Sequence, residues 1–142
     1  MKEKLNVYLA GGINKLSYEQ AFGWRIKVTK ELLKYGINCL NPIASKDFDK
    51  FNSGGKFTEG DKVCYWRDLF LVKQSDIVLM NLNNGQSTGT MIEKGWCDVL
   101  GKLVVVVSEE PIKHPFVYEK AIIFKTIDDA IEFIKELGNK NE

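Results

Sequence analysis

The sequence predicts a single-domain α/β three-layer sandwich, with helices covering both faces of a mostly parallel five-stranded sheet. Three observations predict it. Short apolar runs alternate with longer segments whose apolar residues recur at helical spacing, and such alternation builds parallel sheets with covering helices. The run at 103–107, LVVVV, is apolar at every position, as a strand covered on both faces must be. The 142 residues suit one domain, since domains commonly hold roughly 100–200 residues and need no staples at that size.

The elements follow in order. Residues 5–10 form the first strand, which Gly11 and Gly12 end. A loop leads to Ser17, which makes a capping box with Gln20. Behind it Ala21, Trp24, Val28, Leu32 and Tyr35 recur at helical spacing, and Gly36 supplies the stop. Residues 37–40 are a second strand closed by Asn41-Pro42. Residues 43–58 have no period and read as a long loop, a kind usually functional or mobile. A helix over 60–74 carries Val63, Trp66, Leu69, Phe70 and Lys73 along its turn. The third strand is 76–82, the next helix 88–100, and the fourth strand 103–107. Residues 109–119, broken by Pro111 and Pro115, read as loop. A fifth strand at 121–124 precedes a helix capped by Thr126 with Asp129. Its apolar face is Ile127, Ala130, Ile131, Ile134 and Leu137, and Gly138 is the expected stop. The winding is Rossmann-like or flavodoxin-like, so ligands belong at the carboxyl ends of the strands, where loops 11–16, 41–58 and 83–88 gather.

Composition excludes several functions. The net charge is +1 and the lysines are dispersed, which argues against a surface for polymeric nucleic acid. Cys39, Cys64 and Cys97 lack zinc spacing and are odd in number, so they read as reduced, buried thiols of a cytoplasmic protein. No apolar run is long enough for a bilayer, and the first ten residues lack a signal-peptide core. Neither G-x-G-x-x-G nor G-x-x-x-x-G-K-[ST] is present, which removes the main support for nicotinamide or nucleoside-triphosphate binding. No metal or organic cofactor is expected.

The richest segment is 75–101, SDIVLMNLNNGQSTGTMIEKGWCDVLG. It sets a buried strand, a small-residue loop and a helix start in succession. Ser87 and Thr88 precede that helix, and Gly85, Gly89 and Thr90 flank the turn. Helix-start amides with glycine access can hold a phosphate, carboxylate or sugar hydroxyl; equally, the cluster can be an ordinary cap. Glu93 falls in the helix's second turn. Solvated, it is a surface charge; turned into the cleft, it is a carboxylate able to attack an anomeric carbon. Asp68 either pairs with Arg67 or Lys73 at the surface or assists a leaving heterocyclic base. Tyr8 is core, or a buried hydroxyl that needs a partner such as a carboxylate at the strand end. Asp76 reads as a turn residue satisfying amides. His114, the single histidine, reads as a loop residue. Trp24 and Trp66 read as core, and Trp96 as core or ligand wall.

These residues together resemble the nucleoside 2-deoxyribosyltransferase family and its nucleotide N-glycosidase relatives. The resemblance rests on VYLAGGI at the first strand, WRDLFLVKQSDIVLMNL ahead of the loop, and STGTMIEKGWCDVLGKLVVVV after it. It implies that Glu93 attacks C1′ of the sugar, that Tyr8 orients it, and that Asp68 helps protonate the base. Gly11 and Gly12 match the small-residue turn lining the sugar pocket. Ser87 stands where nucleoside transferases tend to carry an acidic residue for the 5′-hydroxyl; the nucleotide hydrolases have a serine that binds a 5′-phosphate. The implied ligand is a small-molecule nucleoside or nucleotide, and the implied assembly a homo-oligomer.

Overall fold

The computed structural model describes residues 4–13, 16–42 and 62–140. Five strands are present: β1 (Asn6–Gly11), β2 (Asn38–Leu40), β3 (Ile77–Asn81), β4 (Leu103–Val107) and β5 (Ala121–Phe124). A π-helical turn over Glu19–Gly23 leads into α1 (Trp24–Leu33), followed by α2 (Lys62–Gln74), α3 (Thr88–Leu100), α4 (Pro115–Tyr118) and α5 (Ile127–Lys140). All pairings are parallel in the order β2-β1-β3-β4-β5. The expected sandwich is therefore the fold observed. The order reverses between β1 and β3, so a crevice opens there beyond the strand ends. The expected loop at 43–58 and the expected start of α2 at Gly60 lie outside the described residues.

Alternation along the strands sorts the core into two layers. Val7, Leu9, Leu79 and Val105 face α1 and α5, meeting Val28, Leu32, Ile131 and Ile134. Tyr8, Ala10, Val78, Met80 and Val104 face the opposite way, toward Val72 of α2 and Cys97 of α3. Burying each large aliphatic side chain contributes roughly 1.5–3 kcal/mol, so these two layers fix the helices against the sheet. The capping box forms as expected, with Ser17 N–H donating to Gln20 Oε1 at 3.0 Å and Gln20 N–H to Ser17 Oγ at 3.1 Å. Gly36, at φ +73°, ends the α1 segment in the left-handed conformation that favours glycine.

Four expectations need correction. Residues 109–119 are not all loop, because α4 forms within them. His114 Nδ1 accepts from Phe116 N–H at 3.2 Å, and Pro115 opens the turn. The buried Lys94 ammonium then donates to the Phe116 and Glu119 carbonyls at 3.0 Å each, and to Asp98 Oδ2 at 2.6 Å. Gly138 does not stop α5, which continues to Lys140. It is a packing glycine instead: a Cβ there would lie 3.0 Å from Ile37 Cδ1. The core reading of Trp66 fails. Val63, Trp66 and Phe70 are each more than half exposed, so Trp66 is not core; Cys64 and Asp68 line the cleft on the inner side. Of the thiols, only Cys97 is fully buried; all three are free.

Asp76 does satisfy an amide, but that of β1 and not of its own turn: its Oδ2 accepts from Asn6 N–H at 2.8 Å. The reading of Thr126 holds, its Oγ1 capping α5 through Asp129 N–H at 3.1 Å. Among the described residues, no helix is long and apolar enough to cross a membrane.

Candidate active site

A cavity of about 520 Å³ lies at the β1–β3 crevice. Its floor takes Gly11 from β1 and Arg25 from α1. One wall is α2, through Cys64, Tyr65 and Asp68. The opposite wall is the start of α3, through Ser87, Thr88, Gly89 and Thr90, then Glu93 and Trp96. The topology thus brings the sequence's candidates to one place from distant parts of the chain.

Glu93 lies on the α3 face turned to the sheet and is only 8% exposed. The Tyr8 hydroxyl donates to its Oε2. Tyr8 is wholly buried beneath the cavity. Burial first, then the Glu93 and Asp68 charges, push its phenol above the usual range. The phenol is thus the donor in this contact, and one Glu93 oxygen is held by it. Asp68 reaches the same cluster from α2, close enough for its charge to act on Tyr8 and Arg25. Asp68 is half-buried there and lines the cavity.

Ser87 is the N-cap of α3. Its Oγ accepts from Thr90 N–H at 3.2 Å and lies 2.7 Å from Thr90 Oγ1. The cap reading and the pocket reading coincide here, because the capped helix start is itself a cavity wall. Helix-start amides lack carbonyl partners within the helix and carry partial positive charge. That wall suits an anion or a hydroxyl.

The two glycines after β1 differ in place. Gly11 borders the cavity, and a Cβ on it would sit 3.0 Å from Trp24 Cζ2 and 3.2 Å from the Asn81 carbonyl oxygen. Gly12 is not among the cavity's lining residues. It packs beside the cap, where a Cβ would meet Leu16 at 3.6 Å and Ser87 Cβ at 3.9 Å, both ordinary contacts. We expect Gly11→Ala to lower stability by about 1–3 kcal/mol through overpacking. Gly12→Ala should cost far less. Urea unfolding of the two variants checks this, and equal midpoints would contradict it.

Arg25 is one of two residues that sequence reasoning missed. It is 1% exposed. Its guanidinium donates to three carbonyls: Ala21 at 2.5 Å, Gly11 at 3.0 Å and Leu9 at 3.4 Å. Its Cζ lies 4.6 Å from the Trp24 ring centre. The signal was present, since Arg25 stands four residues after Ala21 and three before Val28, on the side of the helix where both are buried. Tyr65 was also missed as a wall residue. It meets Trp96 edge to face at 5.2 Å, which places Trp96 at the cavity.

Known proteins share this architecture. No curated protein matches the sequence significantly. A 2-deoxyribosyltransferase from Bacillus psychrosaccharolyticus is similar in structure, with a TM-score of 0.69 and 23% identity over 89% of this chain and 90% of that one. A CMP N-glycosidase from Clostridium botulinum has a TM-score of 0.60 and 16% identity over 91% and 97%. The Moco carrier protein of Chlamydomonas reinhardtii has a TM-score of 0.65 and 15% identity over 97% and 99%. At such identities these likenesses establish the fold. The family model described as Nucleoside 2-deoxyribosyltransferase matches residues 7–130, a span holding Tyr8, Asp68, Ser87 and Glu93. With most of its length matched, this chain belongs to the nucleoside 2-deoxyribosyltransferase family.

Proposed function

We propose that the protein cleaves or exchanges the N-glycosidic bond of a (deoxy)nucleoside or its 5′-monophosphate, through a covalent intermediate on Glu93. The observation that carries this reading is a buried carboxylate, held by a phenol, facing a cavity with a second carboxylate on its far wall. A Glu93 oxygen attacks C1′ as the bond from C1′ to the base nitrogen breaks. The bonding pair leaves with the base, and Asp68 in its protonated form supplies the proton. Water or an acceptor base then attacks C1′ as the ester bond from C1′ to Glu93 breaks; the attacker's proton passes to the Asp68 carboxylate, and Glu93 is released as a carboxylate. Ser87, Gly89, Thr90 and the first amides of α3 hold the 5′ end of the substrate, while Gly11 and Gly12 shape the turn under the sugar. The chemistry needs no cofactor.

Ser87 favours a narrower second reading, a strict 5′-monophosphate N-glycosidase, because a phosphate dianion suits a hydroxyl on a helix start better than it suits a carboxylate. A third, non-catalytic reading is a nucleotide-binding sensor, and a carrier protein with this fold keeps it open, since fold does not imply function. A cytoplasmic location and a homo-oligomer complete the reading. The outward Trp66 and Phe70 of α2 support the latter.

Incubation with a panel of nucleosides and 5′-monophosphates, with and without an acceptor base, tests it. Free base or exchanged nucleoside is the expected product. Exchange only with acceptor present means transfer, and base release without one means hydrolysis. Tight binding with no free base after long incubation would favour the sensor.

A further inference from the structure

We infer that Arg25 is a positioning residue for the glycosyl-transfer chemistry: its buried guanidinium holds the end of β1 and supplies the positive charge that keeps Glu93 an anion beside Asp68. This rests on the reading of Glu93 as nucleophile.

The geometry carries the first half. The three carbonyls that Arg25 binds belong to Leu9 and Gly11 of β1 and to Ala21 of the π-helical turn. One side chain therefore ties the strand carrying Tyr8 to the helix that covers it, within three residues of the Tyr8 hydroxyl's own backbone. Gly11 completes the fit, since a Cβ on it would also stand 3.5 Å from Arg25 Nη2.

Charge carries the second half. All three hydrogen-bonded acceptors are neutral, and among the described residues no carboxylate forms an ion pair with Arg25. A neutral donor could tie the same carbonyls without burying a charge, which is costly. A cation is favoured only where negative charge is near. It is near here: Arg25, Asp68 and Glu93 line the same cavity, and burial, which lowers the guanidinium to about 10, is opposed by the charges of Tyr8, Glu93 and Asp68. Two carboxylates sharing a cleft drive one another toward protonation, yet a nucleophile must be ionised. Among the described residues, the groups that share the cavity with Glu93 or act on its charge are Tyr8 from β1, Asp68, Cys64 and Tyr65 from α2, Cys97 from its own helix, and Arg25, the cation of that described set. Lys94, next in sequence, turns away to Asp98 and to the α4 carbonyls.

The test is the pH profile of kcat/KM, on whichever substrate the panel above identifies, for Arg25→Met and Arg25→Lys. Removing the charge should move the acid limb upward by about one pH unit or more. Lysine should return the limb near its wild-type position while kcat stays low, because the fork to three carbonyls is lost. A purely structural role would lower the folded fraction and leave the limb in place. Should Arg25→Met not fold, Arg25→Gln keeps donors for the carbonyls, lacks the charge and carries the same expectation. An unmoved limb in a folded neutral variant, with Glu93 still essential, overturns this inference alone. Full activity in Glu93→Gln overturns both it and the reading beneath it.

Discussion

Glu93→Gln is expected to reduce base release by at least about 10³-fold, because the amide cannot form the glycosyl ester and nucleophile removal is among the costliest changes an enzyme can suffer. The fold should survive. Glutamine has the same shape, and its carbonyl oxygen can still accept from the Tyr8 hydroxyl that now binds Glu93 Oε2. Removing the buried charge relieves its own desolvation but takes from Arg25 part of its balancing negative charge, with Asp68 still in place, so stability should fall modestly. Base release followed by chromatography gives the rate, and thermal unfolding gives the control. Acid-quenched wild-type protein should carry a mass increment of one sugar unit that the variant lacks. Turnover within about tenfold of wild type in a folded Glu93→Gln would remove the covalent mechanism.

Tyr8 shows why that residue can serve. A carboxylate on a helix face turned to a sheet would normally find no polar partner. Here strand alternation puts a phenol on the α3 side of β1, with Val7 and Leu9 on the other. One polar position in an apolar strand thus makes a buried carboxylate tolerable. The same strand ends at Gly11, whose missing side chain leaves room for Trp24 and the Arg25 guanidinium. Site and core are built from adjacent residues of a single strand.

Much of this was legible in the sequence, for physical reasons. β4 is apolar at every position because both faces are covered, and its pattern says so directly. The capping residues Ser17, Ser87 and Thr126 were legible because a cap is a local interaction that needs only neighbours in sequence. The inner face of α2 was not. Its apolar residues Val63, Trp66 and Phe70 mark the outer side, and the inner side carries Cys64 and Asp68 toward the cavity. A helix beside a polar cleft breaks the rule that the apolar face points inward. Arg25 was passed over for a related reason, since charge is read as exposure unless its partners are known, and its partners are backbone carbonyls from a distant strand. The α4 turn depends on Lys94, more than twenty residues upstream, for two of its carbonyl contacts.

Ser87→Asp should discriminate between the two substrate classes more sharply than any other single change. Aspartate caps helices as well as serine does, and its charge favours the helix start. It can accept from Thr90 N–H as Ser87 Oγ does now. Stability should therefore hold, and the substrate must reveal the difference. A 5′-phosphate seated on this wall would face a carboxylate a few ångströms away. Even with strong solvent screening, that repulsion should lower kcat/KM for the monophosphate by about 10²-fold or more. The matching nucleoside presents only a hydroxyl, which can donate to the new carboxylate, so its kcat/KM should change by no more than about threefold or improve. Side-by-side kinetics on one monophosphate and its nucleoside measure the ratio. Equal losses on both would mean that the α3 start does not hold a phosphate, and the strict monophosphate reading would fall while the chemistry at Glu93 stood.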